Sequence, residues 1–498
     1  MLMRGLGWVA IVAAVSSGCS ATLEFEECSQ DADCAARGPG MVCSTEGFCV
    51  DRSSLVAEVP LTTEECSAAF GPVNEPGTVL VGTLLPTTGD NASIGVPMEH
   101  AVLLAIKEFN EHGGLTGGRK LAVLLCDTGG STDRGVRAAK HLVALGVPGA
   151  VGPAFSSVAI EVASRFAAPG PESPSGLVLI SPSATSPAIS ALSDEDRVWR
   201  TVPSDALQGK AMAHVILNSE SYGLPPFERV TVLYKDDAYG TGLLTALVES
   251  LPGTGGPALS SVKYADPTKE VVYAKDLLPK LDETEPELVV MIGTAETAKL
   301  LPFFEYAWRS RPTPVRWFLA DGSKTDALFT EIAALPSGMD KAGIRARIRG
   351  TAPRAGSGKH FNAFKARLGG EFGYPEPPVY AAQAYDATYM LALALGASTR
   401  SYPDSGEIVA GLRRLTGGAE VIPATPSSIT KGIQLLRSAP DARIDFDGAS
   451  GSLDFGADGE APGPIDLWAP HDGAFVACGL LDEGAAPVDP SAAGCDAL

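Results

Sequence analysis

At 498 residues the chain has room for two or three lobes with ample core, and a hydrophobic fraction of 45% against 19% charged places it among globular proteins. Its 59 acidic residues outnumber 38 basic ones, giving a formal net charge of −21. Such a surface repels phosphate backbones and anionic lipid heads, which excludes nucleic acid as a partner.

In chain order, the first element is a targeting segment. Arg4 precedes an apolar run from Leu6 to Val15 that is too short to span a bilayer. The run ends in "VSSGCS", which resembles a bacterial lipobox, with Ser16 where that pattern prefers a leucine-like residue. The resemblance implies a signal peptide over residues 1–18 and lipidation of Cys19. The product is a lipoprotein of the periplasm or cell surface, anchored to the membrane without spanning it. Setting Cys19 aside leaves eight cysteines, an even number suited to an oxidising compartment. Cys28, Cys34, Cys43 and Cys49 are spaced C-x5-C-x8-C-x5-C, unlike the close pairs of structural zinc sites. Residues 19–50 therefore read as the anchor followed by a small disulfide-rich module, its internal pairing open and no metal implied. Cys66 is assigned to Cys126, and Cys478 to Cys495.

Residues 51–75 read as a linker. From Thr78 the pattern changes: "TVLVGTLLP" is a short apolar run suited to a strand covered on both faces. Met98, Ala101, Val102, Ala105, Ile106 and Phe109 then form one helical stripe, which Gly113-Gly114 terminates. Next come the strand "KLAVLLCD", a helix from "STDRG" to Gly146, the strand "GAVGP", a helix from Ser156 and the strand "GLVLISPS". A helix from Asp205, the strand "RVTVLYKDD", a helix from Gly240 and the strand "SVKYA" follow. A helix from Lys269, the strand "ELVVMIG", a helix from Glu296 and the strand "VRWFLADG" complete the series. This alternation predicts an α/β fold of two doubly wound parallel-sheet lobes. The tail 483–498 reads as loose.

Enzyme signatures are missing: there is no G-x-S-x-G elbow, no H-E-x-x-H motif and no ligand spacing among the six histidines. "RAGSGKH" fails as a phosphate loop, with Pro353 in place of glycine and His360 in place of Ser/Thr. The chain is read as a binding protein without cofactor. In open parallel sheets ligands lie beyond the carboxyl ends of strands, where four small, polar loops occur: "PTTGDNASIG", "GPAFSS", "SPSATSP" and "KDDAYG". At "FSSVAI" a helix starts, and its unpaired N–H groups beside the Ser156 and Ser157 hydroxyls suit a carboxylate. Helix capping is the plainer alternative for that serine pair, and turn chemistry for Ser183 and Thr185.

The stretches "VLVGTLLPTTGDNASIGVPMEHAVLLAIKEFNEHGG", "GAVGPAFSSVAIEVAS", "LISPSATSPAIS", "VTVLYKDDAYGTGL", "AYDATYMLALAL" and "FDGASGSLDF" together resemble type I periplasmic binding proteins, the leucine/isoleucine/valine-binding receptors of ABC importers. The resemblance runs from about residue 78 to 478. It implies two lobes joined by three crossovers: lobe one over residues 76–204 and 353–438, lobe two over 205–352 and 439–482. It places Ser156 and Thr185 on the carboxylate of an amino-acid-like ligand, with Ser183 offering a carbonyl to the ammonium. Tyr239 lines the cleft from lobe two, and Asp321 pairs with the ammonium. Ile94, Thr294 and Ala295 stand where such receptors often carry aromatic side chains, so a less aromatic pocket is expected. The implied protein is a monomer that hands its ligand to an ABC permease. A sensor or surface scaffold of the same fold is the alternative.

Overall fold

The structure, a computed structural model, describes residues 28, 30, 33, 34, 37, 41–43, 48–51, 59–265, 270–400, 402–482, 484 and 486. The signal peptide, Cys19 and Cys495 lie outside the described residues. Among the described residues no helix is long and apolar enough to cross a membrane. The chain divides into two compact units, Met1–Leu55 and Val56–Leu498.

In the first unit β1 (Met41–Cys43) pairs antiparallel with β2 (Cys49–Asp51), Cys43 opposite Cys49. Disulfides join Cys28 to Cys43 and Cys34 to Cys49, so the first cysteine pairs with the third and the second with the fourth. So short a segment has little apolar area to bury, and cross-links restrict its unfolded state instead.

The second unit begins with an edge strand, β3 (Ala68–Phe70), inside the stretch expected as a linker. Three residues are too few to show a period of two, which hid the strand from the sequence. It pairs antiparallel with β5 (Leu121–Leu125), and a disulfide joins Cys66, just before it, to Cys126, just after β5. This bond closes a 60-residue separation. The double variant Cys66→Ser/Cys126→Ser is expected to lose about 4 kcal/mol by loop entropy, read as a lower urea midpoint.

The first sheet has the order β3-β5-β4-β6-β7-β8, with β4 (Val79–Thr83), β6 (Gly149–Val151), β7 (Val178–Ser181) and β8 (Val198–Arg200). All its strands are parallel except β3. Helices α1 (Ala92–Glu111), α2 (Thr132–Ala144) and α3 (Ser156–Phe166) connect them. Every residue of the α1 stripe is buried, and Gly114 N–H closes the helix on the Phe109 carbonyl at 2.9 Å.

The chain then crosses to lobe two through α4 (Asp205–Leu217). Parallel strands β9 (Arg229–Lys235), β10 (Ala258–Tyr264), β11 (Leu288–Ile292), β12 (Arg316–Leu319) and β13 (Ile348–Pro353) follow. They alternate with α5 (Ala238–Ser250), α6 (Glu270–Glu283), α7 (Thr297–Ala307), α8 (Ala327–Ala334) and α9 (Lys341–Ala346). All five residues of β11 are buried, as befits a strand covered on both faces.

A second crossover returns to lobe one, where α10 (Gly358–Phe372), α11 (Ala381–Ala397) and α12 (Ser405–Leu412) pack. There β14 (Val421–Pro423), α13 (Ile429–Leu436) and β15 (Asp445–Asp447) complete the lobe. A third crossover leads to the antiparallel pair β16 (Ile465–His471) and β17 (Ala474–Leu481) at the edge of the second sheet, order β10-β9-β11-β12-β13-β16-β17.

This corrects the expected return to lobe two at residue 439. Ile444, Phe446, Ala449, Leu453 and Ala461 all pack into the lobe-one core. The cause is local: Asp386 of α11, fully buried, accepts the Ala449 and Ser450 N–H groups, each at 2.7 Å, and pins the turn there. Cys478 in β17 is disulfide-bonded.

Candidate functional site

The first sheet delivers two loops to the cleft between the lobes. One leaves β6 through Gly152, whose φ of +117° and distance of 2.5 Å from a virtual Cβ to the Leu84 carbonyl oxygen admit only glycine. It runs into α3, whose N-cap residue Phe155 supplies no side-chain cap, so the first N–H groups of the helix remain available. The other loop follows β7. Serines lace the two together: Ser181 Oγ donates to the Pro153 carbonyl at 2.6 Å and Ser183 Oγ to the Ala154 carbonyl at 2.7 Å. Ser156 Oγ accepts the Ser186 N–H at 3.2 Å, which leaves its proton for a ligand oxygen. Arg200, buried to 1% exposure, grips the second loop by the Ala184 and Ser186 carbonyls at 3.3 and 3.0 Å. Its counter-charge is Glu460, on the third crossover.

Lobe two contributes an acid. Asp321 lies two residues beyond the end of β12 and is 1% exposed. Its Oδ1 accepts from Tyr239 OH at 2.6 Å and from Gln208 Nε2 at 2.8 Å, and its Oδ2 accepts from Tyr380 OH. Tyr239 stands in the first turn of α5, which Asp237 caps by accepting the Gly240 N–H at 2.8 Å. Burial, then the Asp321 charge, pushes both phenols well above the usual tyrosine range and keeps them neutral donors. Beside this cluster sits a second acid, Asp205, at the start of α4 and fully buried. Burial first, and Asp321 second, raise its carboxyl well above the ordinary range. The Thr185 hydroxyl lies beside it, yet neither that hydroxyl nor either Asp205 oxygen has a well-formed hydrogen bond.

These groups meet at a cavity of about 20 Å³ between the lobes, lined among others by Ile94, Phe155, Ser156, Ser183, Tyr239, Asp321 and Tyr380. That is room for one water. A guest of amino-acid size enters only when the lobes part.

Of the residues singled out in the sequence, Ser156, Ser183, Tyr239 and Asp321 are brought to this wall. Thr185 stands behind it, and the Ser183 hydroxyl is spent on lobe one. Ser157 does not line the cavity; its hydroxyl faces the other lobe. Ile94 and Thr294 do line it, but Phe155 and Tyr380 restore aromatic surface. Thr87 and Thr88 are turn residues, their N–H groups held by Asp127 at 2.8 and 3.2 Å. Tyr380, Gln208 and Asp205 were missed. The usable signal for Tyr380 is a tyrosine placed directly before a helix; its φ of 66° is a left-handed conformation that non-glycine residues adopt mainly where surrounding structure imposes it.

A family model described as the receptor family ligand binding region matches residues 97–473. The Leu/Ile/Val-binding protein BraC3 of Rhizobium johnstonii is 30% identical over 189 residues, covering 38% of this chain and 48% of that protein. The chain spans about half the length of the curated relatives it matches first. Among solved structures, a branched-chain amino acid transporter substrate binding protein of Streptococcus pneumoniae, in complex with isoleucine, shares 20% identity at a TM-score of 0.60, over 80% of this chain and 98% of its own. A solute binding protein of an ABC transporter from R. palustris, in complex with benzoate, shares 17% identity at a TM-score of 0.58, over 82% and 97%.

Proposed function

This chain belongs to the receptor family of ligand-binding regions, which are binding proteins rather than enzymes, and from that premise we propose that it captures a free α-amino acid with an aliphatic side chain between its lobes. The observation that carries this reading is the pairing of opposite chemistries on one cavity. At one end an uncapped helix start and the Ser156 hydroxyl suit a carboxylate. At the other, Asp321 lines the cavity and suits an ammonium, with the buried Asp205 beside it. Donors from lobe one and acceptors from lobe two then hold a single zwitterion, so binding favours the closed arrangement over the open one. The names of BraC3 and of the isoleucine complex agree with an aliphatic side chain, and Ile94 is the apolar wall for it.

In this reading the protein is exported, anchored through Cys19 and paired with an ABC permease. The cysteine-rich first unit favours, as the alternative, a sensing or scaffold role for the same fold. Thermal shift with aliphatic amino acids, and with carboxylates lacking an amino group such as benzoate, tests the ligand class. Saturation at 100 times Kd adds about 2.7 kcal/mol of stability, so amino acids should raise Tm clearly. A rise with benzoate and none with amino acids would remove the ammonium half of the site.

A further inference from the structure

Lobe one carries a second concavity, a groove of about 400 Å³ between the loop of residues 113–118 and α13. Helix α1 brings Ile94 to the ligand cavity at its start and leads into this loop at its end. Its 20 residues put roughly 30 Å between the two places. Gly113, with a φ of +109°, lets the loop lie against α13, because a Cβ there would come within 3.1 Å of Thr430 Oγ1. Thr430 Oγ1 in turn donates to the His112 carbonyl at 3.1 Å and fastens α13 to the end of α1. Thr430, Ile433, Gln434 and Arg437 line the far wall at i, i+3, i+4 and i+7, one stripe of α13 and its cap.

In a chain of net charge −21 this groove is cationic. Of the described residues that line it, Arg437 alone is charged. Arg437 Nη1 donates to the Ser398 carbonyl, and Arg119 Nη2 reaches the Arg400 carbonyl, two residues on, at 3.5 Å. Two guanidiniums thus converge on one short stretch after α11, and Arg119 Nε also holds the Thr116 carbonyl of the loop at 3.3 Å. Burial lowers the Arg119 guanidinium, and the neighbouring Arg437 charge adds to that. The Asp404 and Glu407 carboxylates close by in sequence are taken up by Arg400, at 3.0 and 3.4 Å.

We propose that this groove is a second binding site, for a phosphate monoester, with Arg437 and Arg119 on the phosphate and Ile433 beneath the organic part. A monoester carries close to two negative charges at neutral pH. Two forked cations therefore match it better than they match a single carboxylate. The volume is that of a small-molecule site. Small free monoesters such as glycerol 3-phosphate and the headgroup of phosphatidic acid share this chemistry. The groove belongs to lobe one alone, so it depends neither on lobe closure nor on the amino-acid reading.

The test titrates glycerol 3-phosphate into the full chain by calorimetry at low salt. A second arm floats the chain with phosphatidylcholine vesicles, with and without phosphatidic acid. Arg437→Gln should weaken binding about ten- to a hundredfold, the weight of a hydrogen bond to a charged group. Arg119→Gln should act likewise, and Arg437→Lys less, because it keeps the charge and loses only the fork. The Arg437 side chain is exposed, so its variants should keep the wild-type urea midpoint, which separates lost binding from lost folding. Saturable binding of glycerol 3-phosphate, lost in Arg437→Gln, supports a free monoester. Flotation that requires phosphatidic acid and is lost in Arg437→Gln supports the headgroup. No specific binding in either arm, or binding that Arg437→Gln and Arg119→Gln both leave unchanged, would overturn the site. Amino-acid titrations should be the same in wild type and Arg437→Gln, so failure of either reading leaves the other standing.

Discussion

Asp321→Ala is expected to weaken amino-acid binding by two to three orders of magnitude, the largest effect of any single substitution in the cleft. The carboxylate is 1% exposed and would meet an ammonium in a largely buried site. Removing one member of a buried charged pair costs about 3–5 kcal/mol, because the other charge stays desolvated and unpaired. Asp321 also gathers Tyr239, Tyr380 and Gln208, so its loss leaves two buried phenols without their acceptor and Gln208 with only its longer contacts to Thr351. Asp321→Asn separates the two consequences. It keeps an acceptor oxygen for Tyr239 and Gln208 while its amide N–H can donate to the Tyr380 hydroxyl, yet it loses the charge, so affinity should fall nearly as far while stability stays within about 1 kcal/mol of wild type. Calorimetric titration of both variants reads the first effect and urea unfolding the second. Asp321→Asn binding as tightly as wild type would mean that the ammonium sits elsewhere.

The second large effect is on stability. Arg200→Ala should cost about 3–5 kcal/mol, because Glu460, 17% exposed, loses its ion-pair partner and keeps only the Ser190 hydroxyl, and the Ala184 and Ser186 carbonyls lose their donor. Burial lowers the guanidinium to about 10, so it is still charged at neutral pH. Arg200→Lys should recover little of the loss, since a single ammonium cannot span carbonyls on two residues, a hydroxyl and a carboxylate at once. The substitution also slackens the loop that carries Ser183 and Thr185 and supplies the Ser186 N–H to Ser156. Affinity should therefore fall together with stability, although Arg200 touches no wall of the cavity. A loss below about 1 kcal/mol in urea unfolding would show that the Glu460 pair contributes as little as an exposed one.

Elements whose burial follows a simple period were legible in the sequence. The α1 stripe and the wholly apolar β11 could be read residue by residue, and their alternation implied two parallel sheets. Where the period is too short or is broken, the reading failed. β3 has three residues, and the segment from Ile444 to Ala461 alternates apolar anchors with turn residues, so its attachment to lobe one depends on Asp386, which lies on a different element. The cleft was legible in part, through loop motifs at strand ends that name Ser156, Tyr239 and Asp321. What the sequence does not display is contact across long separations. Burial and the nearby Asp321 raise the Asp205 carboxyl, Tyr380 reaches Asp321 across 59 residues, and Ser157 meets Ala238 only because the lobes close. Adjacent serines look alike in a motif; α3 turns one toward the cavity and the other toward lobe two.

The most direct test of the zwitterion seat is a crystal structure with the amino acid that gives the largest thermal shift. One carboxylate oxygen should lie within hydrogen-bond distance of Ser156 Oγ, near the first amides of α3, and the ammonium should lie against Asp321 with Asp205 behind it. A ligand bound in the reverse orientation, or bound outside the cleft with Ser156 and Asp321 still joined only to their present protein partners, would contradict it.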